Sequence, residues 1–497
     1  MQLLYNCAPY IYNIYMLCAL DRNYIIENDI IKKISKFFYS DYYFIALFVV
    51  TTLFWGIGQM IPGIAIVVGI STMLFEIAAI VVIQRDVLPI VPLIFFTMFC
   101  LSSPSVPSYM WIVTIPAILV VGAALFHFFY YRIEEFKFGK LFFPMGLFFI
   151  AILLGGIGAK LPASKTGTLM GALLIVIGPL FVYLIMLNYG GKNIEMRRYI
   201  AKTMMYFGFT MVVHLISFYV FKPVGLVAIE GVPHLGYGIS NTIATYFLIT
   251  FPMCFYLYVT TGDKKSYVYL LVGLLQFISI ILTTSRGATI FGVVEFFVTA
   301  IVTIFVLDKK KRKGYLLFTA IVLAVGAVMF VLLYNKVIGF IKYMFSDGMN
   351  DSGRFELYRE ALACITEYPV FGAGLGYIGK WDKVFNSIGI YMFHNTILQY
   401  LACLGIVGLI AYAYIYFVRL EILFEHWDTY SLYILMIFIG FEGYSLLNTG
   451  TIQGYPTAII LAVLYVAHEI ETKQKEPRIY GDILKKLKVK RIIKERV

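Results

Sequence analysis

Charge is what this chain has little of. Asp, Glu, Lys and Arg make up only 14% of its 497 residues, against 61% hydrophobic, where a soluble chain of this length would carry roughly 25% charged residues in several domains. The shortage excludes water as the main solvent of most of the chain. Acidic residues are scarcer than basic ones, 28 against 40, which leaves a formal charge of +12. No basic run interleaved with aromatics forms a separate polar domain, so no nucleic-acid partner is indicated. Paired cysteines are also missing. Cys7, Cys18, Cys100, Cys254, Cys364 and Cys403 are scattered without a C-x-x-C pair, so neither a disulfide framework nor a zinc site is expected. The stretch Met1 to Leu20 has no Lys or Arg before it and no small-residue cleavage site, and reads as a retained segment rather than a signal peptide.

Long apolar runs are abundant. A bilayer core of roughly 30 Å needs about 20 apolar residues in helix. Runs of that kind bounded by charge, Gly or Pro fall at 43–60, 63–83, 87–101, 109–130, 141–158, 168–188, 199–221, 241–261, 266–283, 287–307, 315–335, 396–418, 429–447 and 454–470, the third being short. The expected fold class is an all-α polytopic integral membrane protein with about 14 transmembrane helices, within roughly 12–15. Cytoplasmic loops retain Lys and Arg, and Lys309-Lys310-Lys311-Arg312-Lys313 anchors the orientation. Alternation from that loop places both termini inside, with about 29 basic residues on that side against about 10 outside and Lys202 in a span. The chain then divides into a cytoplasmic or interfacial segment 1–42, transmembrane helices in 43–335, an extracytoplasmic loop 336–395, further helices in 396–470 and a basic cytoplasmic tail 471–497. The loop is the longest connection. Phe355, Tyr358, Leu362 and Ile365 recur in it at helical spacing, with Ser352 to cap the start and Pro369 to end the run, which predicts an amphipathic helix over the outer face.

Three polar clusters fall on that outer side. In Thr284-Ser285-Arg286-Gly287, at the start of a span, Arg286 can either grip phosphate at a helix N-terminus or simply snorkel. In Asp351-Ser352-Gly353-Arg354, with Glu356 and Arg359, Arg354 sits at the end of a helix where a cation is disfavoured. It therefore asks for an anionic partner, which could be a ligand or only Asp351 or Glu356. In His394-Asn395, the imidazole at the water boundary can accept a hydroxyl proton near neutral pH, or be structural. Gly372, Gly374 and Gly376 alternate downstream of Pro369 and read first as a tight turn, alternatively as close backbone approach or a phosphate nest.

Taken in order, Ser285-Arg286-Gly287-Ala288, Ser352-Gly353-Arg354, a helix ending in Tyr368-Pro369, the alternating glycines at 372–376 and His394-Asn395 resemble the O-antigen ligase and polysaccharide polymerase family. Lys222-Pro223, Gly225 and Asn241 resemble its preceding loop more weakly, and the resemblance covers roughly residues 220–420. It implies a GT-C-like, metal-independent glycosyltransferase of the bacterial cytoplasmic membrane without cofactors. The donor would be an undecaprenyl-diphosphate-linked glycan used at the extracytoplasmic face, with Arg286, Arg354 and His394 matching the family's essential residues. Ser285, Glu356, Arg359, Asn395, Asn241, Lys222 and Trp381 are the candidate substrate-binding residues, and Glu356 or Glu367 could replace His394 as base. A chain-length regulator and a flippase are candidate partners. The outer aromatics Tyr343, Tyr358, Tyr377, Trp381 and Tyr391 suit sugar stacking and favour a polymerase of capsule, exopolysaccharide or O-antigen over a ligase. The Lys- and Ile-rich, Ala-poor usage points the same way. A lipid-linked oligosaccharide flippase is the rival from another class; Glu76, His214, Glu295 and Glu442 would be its buried polar sites.

Overall fold

An apolar run that crosses lipid can satisfy its backbone within itself only as a helix, and a computed structural model of the chain shows helices in the expected places. The structure describes residues 29–100, 110–131, 133, 135–160, 165–191, 195–221, 233–344, 353–379, 390–452 and 457–471. In chain order its helices are α1 (Asp29–Phe38), α2 (Asp41–Met60), α3 (Pro62–Ile83), α4 (Ile90–Phe96), α5 (Thr114–Tyr130), α6 (Phe142–Leu154), α7 (Lys165–Ala172), α8 (Gly178–Tyr189), α9 (Met196–Phe221), α10 (Ser240–Thr260), α11 (Ser266–Leu282), α12 (Arg286–Val306), α13 (Lys309–Leu332), α14 (Tyr334–Met344), α15 (Arg354–Glu367), α16 (Thr396–Glu425), α17 (Thr429–Ser445) and α18 (Thr457–Glu471). A wider turn, Leu173–Ile177, joins α7 to α8 as one span. Eight spans are long and apolar enough to cross a bilayer by themselves, and no strand occurs among the described residues. The chain is an all-α polytopic membrane protein.

The short expected span 87–101 is α4 with a tighter turn, Thr97–Cys100. It can be short because it never meets lipid: Val91, Leu93, Phe95, Phe96, Phe99 and Cys100 are fully buried. At the centre lies α10, 94% buried, whereas α13 is only 6% buried and runs along the periphery.

Helix ends sort into two groups, as alternation requires. At one end Arg197 of α9 meets Asp428 at 2.9 Å and Glu471 at 3.5 Å, and Lys140 meets Glu421 at 2.9 Å and Glu425 at 2.5 Å. The basic cluster is there too, as the first turn of α13. Asp308 caps it by accepting from the Lys311 amide at 2.8 Å, and the Lys311 ammonium folds back onto the Val259 and Thr261 carbonyls at 3.1 and 2.5 Å. A cation at the C-terminus of α10 offsets the negative end of its dipole. Arg286, Arg354 and His394 lie at the other end: α12 alone, 21 residues long, separates Arg286 from the basic cluster by about 30 Å.

One span departs from regularity. Helix α16 breaks at Gly405, where φ is 65° and ψ is −163°. The backbone groups freed by the break are taken up by residues 369–374. Ala373 and Gly374 amides donate to the Ala402 and Cys403 carbonyls at 2.8 and 2.7 Å, and Ile406 and Val407 amides donate to the Pro369 and Val370 carbonyls at 2.9 and 3.3 Å. The glycine motif therefore serves close backbone approach, and a phosphate nest is ruled out at these amides because they already have partners. The same stretch accepts the Gly156 amide on the Phe371 carbonyl at 2.9 Å, which pins it to the end of α6.

Of the buried polar residues, His214 stacks on Trp55 at 4.3 Å and lies 3.3 Å from both Tyr237 and Thr52 hydroxyls. Glu442 pairs with Arg419 at 2.9 Å, both about 8% exposed. These groups are satisfied within the protein and hold helices together, and Glu442 also lines a cavity between α16 and α17. Only Glu295 among the four has both carboxyl oxygens buried without a partner, lodged against Gly440 of α17. Removing one member of a buried ion pair strands the other, at about 3–5 kcal/mol. Arg419→Ala is thus expected to lower the melting temperature by several degrees, and the double replacement Arg419→Leu with Glu442→Leu to recover most of it; thermal melts in detergent test both.

Candidate active site

The site is built from four helix N-termini. Asn241 lies in the first turn of α10, Ser285 precedes α12, Arg354 opens α15, and His394-Asn395 precede α16. Each such terminus presents unpaired N–H groups and the positive end of a dipole.

A single hydrogen-bonded chain ties three of them together. His394 Nδ1 is 3.1 Å from Asn448 Oδ1, and Asn448 Nδ2 donates to the Tyr444 hydroxyl at 2.9 Å. The Tyr444 and Ser285 hydroxyls are 3.1 Å apart, and Ser285 donates to Asn241 Oδ1 at 2.7 Å. Ser285, Tyr444 and Asn448 are all buried. Asn395 caps α16 by accepting from the Leu398 amide at 3.0 Å and donates to the Leu446 carbonyl at 2.8 Å. Among the described residues only Thr284 (φ 64°) and His394 (φ 52°) combine a side chain with left-handed backbone; Thr284 immediately precedes Ser285 of this chain, and His394 begins it. Strain of that kind costs about 1–3 kcal/mol and persists where surrounding contacts dictate it. For His394 those contacts include Gln399, whose side chain accepts the Phe393 amide at 2.8 Å and donates to the Tyr391 carbonyl at 2.9 Å.

The fourth terminus arrives on α15. This helix of 14 residues, about 21 Å long, is pinned at its C-terminal end by the loop inserted in the α16 break. Its middle is pinned by Glu360, whose carboxylate accepts the Tyr377 and Tyr391 hydroxyls at 2.6 and 3.0 Å. Burial and then the Glu360 carboxylate push both phenols far above their ordinary range, so they act as neutral donors. The buried face is consequently Glu360, Ala361 and Cys364, while Phe355 and Leu362 are exposed. Of the expected apolar face, Tyr358 and Ile365 are half-buried, with Ile365 packed against the core; Glu360 joins the buried side because two phenols donate to it, which a periodicity count cannot see. Gly353, in left-handed backbone, precedes Arg354 in place of the expected cap; Ser352 and Asp351 lie outside the described residues, as do Lys222 and Trp381.

Arg354 reaches the chain electrostatically. Its charge acts on both His394 and Tyr444, and the Tyr358 hydroxyl donates to the His394 carbonyl at 3.4 Å. Burial holds the His394 imidazole below its ordinary pKa, the Arg354 charge adds to that, and the bond to Asn448 opposes it. An imidazole kept neutral in this way can accept a proton, and helix N-termini with an arginine near them can attract an anion. Residues 271–413 match the O-antigen ligase family. The ligase-family segment runs from α11 into α16 and contains Arg286, Arg354 and His394, but Asn241, Tyr444 and Asn448 fall outside it. The match supports a glycosyl-transferring role in glycan assembly. No curated protein matches the chain.

Other expected site residues are not drawn in. Glu356 and Arg359 are exposed on α15. Glu367 accepts from the Tyr368 hydroxyl at 2.7 Å at the far end of α15 from Arg354. Tyr377 and Tyr391, expected to stack sugars, are buried on Glu360. Sequence reading missed Tyr444, Asn448, Gln399 and Glu360. A signal for one existed: Asn448-Thr449-Gly450 is a polar triplet at the end of a span, like the clusters around Ser285 and His394.

A cavity of about 480 Å³ opens below the site between α16 and α17. Thr396, Ile397 and Ser445 form its upper rim, next to His394 and Asn448 in the chain, and Tyr416, Phe417 and Phe438 line it further down.

Proposed function

We propose that the chain polymerises polyprenyl-diphosphate-linked oligosaccharide repeat units at the outer face of the bacterial cytoplasmic membrane. The observation that carries the proposal is the meeting of Arg354, His394 and the Ser285-Arg286 turn at convergent helix N-termini. Such a pocket favours a multiply charged anion. With a donor diphosphate there, the acceptor sugar's hydroxyl attacks the anomeric carbon while its proton passes to His394 Nε2. The bond from the anomeric carbon to the diphosphate oxygen breaks, its electron pair leaves with the diphosphate, and Arg286 and Arg354 offset the added charge. The imidazolium then releases its proton to water. The apolar cavity between α16 and α17 suits the first isoprene units of the donor tail, because it descends into the span region directly from the rim of the site.

The test is incubation of purified protein with a lipid-diphosphate repeat unit. A ladder of longer lipid-linked products supports polymerisation; glycan moved only onto a different added acceptor supports the ligase alternative, which the matching family's description favours. Absence of both rejects the glycosyltransferase reading. Filling the cavity tests the tail site: Ala413→Trp is expected to raise KM about tenfold for a full-length isoprenoid donor and to leave a donor with a two-isoprene tail unaffected. Equal KM changes for both donors would move the tail elsewhere.

A further inference from the structure

We infer that Asn448 is the positioning residue of the catalytic base: its amide oxygen holds the His394 ring with hydrogen on Nδ1, leaving Nε2 to receive the acceptor's proton. The inference rests on the reading of His394 as general base and adds how that base is oriented.

The argument starts from the amide itself. Asn448 Oδ1 accepts from the Thr449 backbone N–H at 3.0 Å. A backbone N–H can only donate, so the atom facing it must be oxygen, and turning the amide over would set its NH2 against that N–H. The Nδ2 group is then directed at Tyr444, to which it donates at 2.9 Å. Because Oδ1 carries no hydrogen, the 3.1 Å contact with His394 Nδ1 requires Nδ1–H. In a neutral imidazole the other nitrogen then bears the lone pair.

Donor direction is consistent along the rest of the chain. Asn448 occupies the Tyr444 oxygen as acceptor, so Tyr444 is free to donate to Ser285 at 3.1 Å, and Ser285 donates to Asn241 Oδ1 at 2.7 Å. All the hydrogens point from His394 toward α10. Asn448 is 1% and Tyr444 2% exposed, so water does not compete for these bonds. Since Ser285 is the residue before Arg286, the same chain sets the proton acceptor in register with the start of α12, where the leaving group would be held. Among the described residues, the charged and titratable groups facing His394 are Arg354 and Tyr358 from α15 and, through Asn448, Tyr444 from α17.

The experiment is the pH dependence of chain extension by Asn448→Asp, Asn448→Ala and His394→Ala. Aspartate places a negative charge on Nδ1–H and favours imidazolium, so the acid limb of kcat is expected to move up by about one pH unit or more. Alanine removes the acceptor, so the limb moves down and kcat falls about 10- to 100-fold with KM for the donor unchanged. Tyr444→Phe, which keeps ring packing, is expected to lower kcat about fivefold at unchanged KM, and it serves if the Asn448 variants fail to reach the membrane. Wild-type kcat and pH profile in whichever of the Asn448 and Tyr444 variants accumulate, alongside an inactive His394→Ala, would overturn the inference while leaving the general base in place. An active His394→Ala would instead remove the general base itself.

Discussion

Alanine at His394 is expected to slow chain extension by about 10²- to 10⁴-fold, the usual worth of a positioned proton acceptor. Folding should be unaffected, because the side-chain bond lost is the one to Asn448, at the edge of the buried chain. Alanine at Arg354 or Arg286 is expected to cost about 10²- to 10³-fold each, since charge developing on a leaving diphosphate in a dehydrated pocket loses a preorganised cation. Lysine at either place restores the charge but not the planar fork, so rescue should be partial. Rates from the purified lipid-linked assay, with melting temperatures as the folding control, decide the matter; wild-type extension by all three variants would sink the enzymatic proposal. The pH dependence has a definite sign. His394 works only when neutral, and its pKa lies below the ordinary imidazole value. The rate is therefore expected to hold through neutral pH and fall only as pH drops through that depressed value.

Gly405→Ala is expected to have the largest effect on the fold. The backbone there is in a region essentially reserved for glycine, and an added methyl would run into the Val370 carbonyl. It would also displace the inserted segment, whose four backbone bonds to the broken helix contribute about 1 kcal/mol each. Together these exceed about 5 kcal/mol, enough to remove most folded protein. Gly372→Ala should behave alike, because its methyl would meet the Cys403 carbonyl group. Gly122→Ala is the control: nothing lies within 4 Å of its position in α5, and alanine in a helix interior is neutral or better by about 0.5–1 kcal/mol. Yield of monodisperse protein and thermal melts would separate the three, and a Gly405→Ala variant that melts like wild type would show that the break is dispensable.

The break matters beyond stability. It seats one end of α15, Glu360 seats the middle, and the free end carries Arg354 to His394. Glycines far from the chemistry therefore determine where an arginine sits within it, so a milder variant such as Glu360→Gln would be read in the same assay.

Helix placement was legible in the amino-acid order because lipid leaves a polypeptide one economical local solution, and length and polarity of each run suffice to find it. The span ends carrying Arg286 and His394 could be read for the same reason: a charged or titratable group at such an end stands out against apolar neighbours, and Arg354 stood out at the start of the loop helix. What could not be read is everything that depends on a partner distant in the chain. Asn448 meets His394 across 54 residues and Tyr444 meets Ser285 across 159, and Glu360 is buried on α15 because it finds its phenols 17 and 31 residues away. Local pattern determined that this protein lies in a membrane as helices, with the lysine-rich cluster at one end and Arg286 and His394 at the other. Only the folded arrangement decided which polar atoms meet, because hydrogen bonds select partners by distance and direction, and neither is encoded in the spacing of residues along a single span.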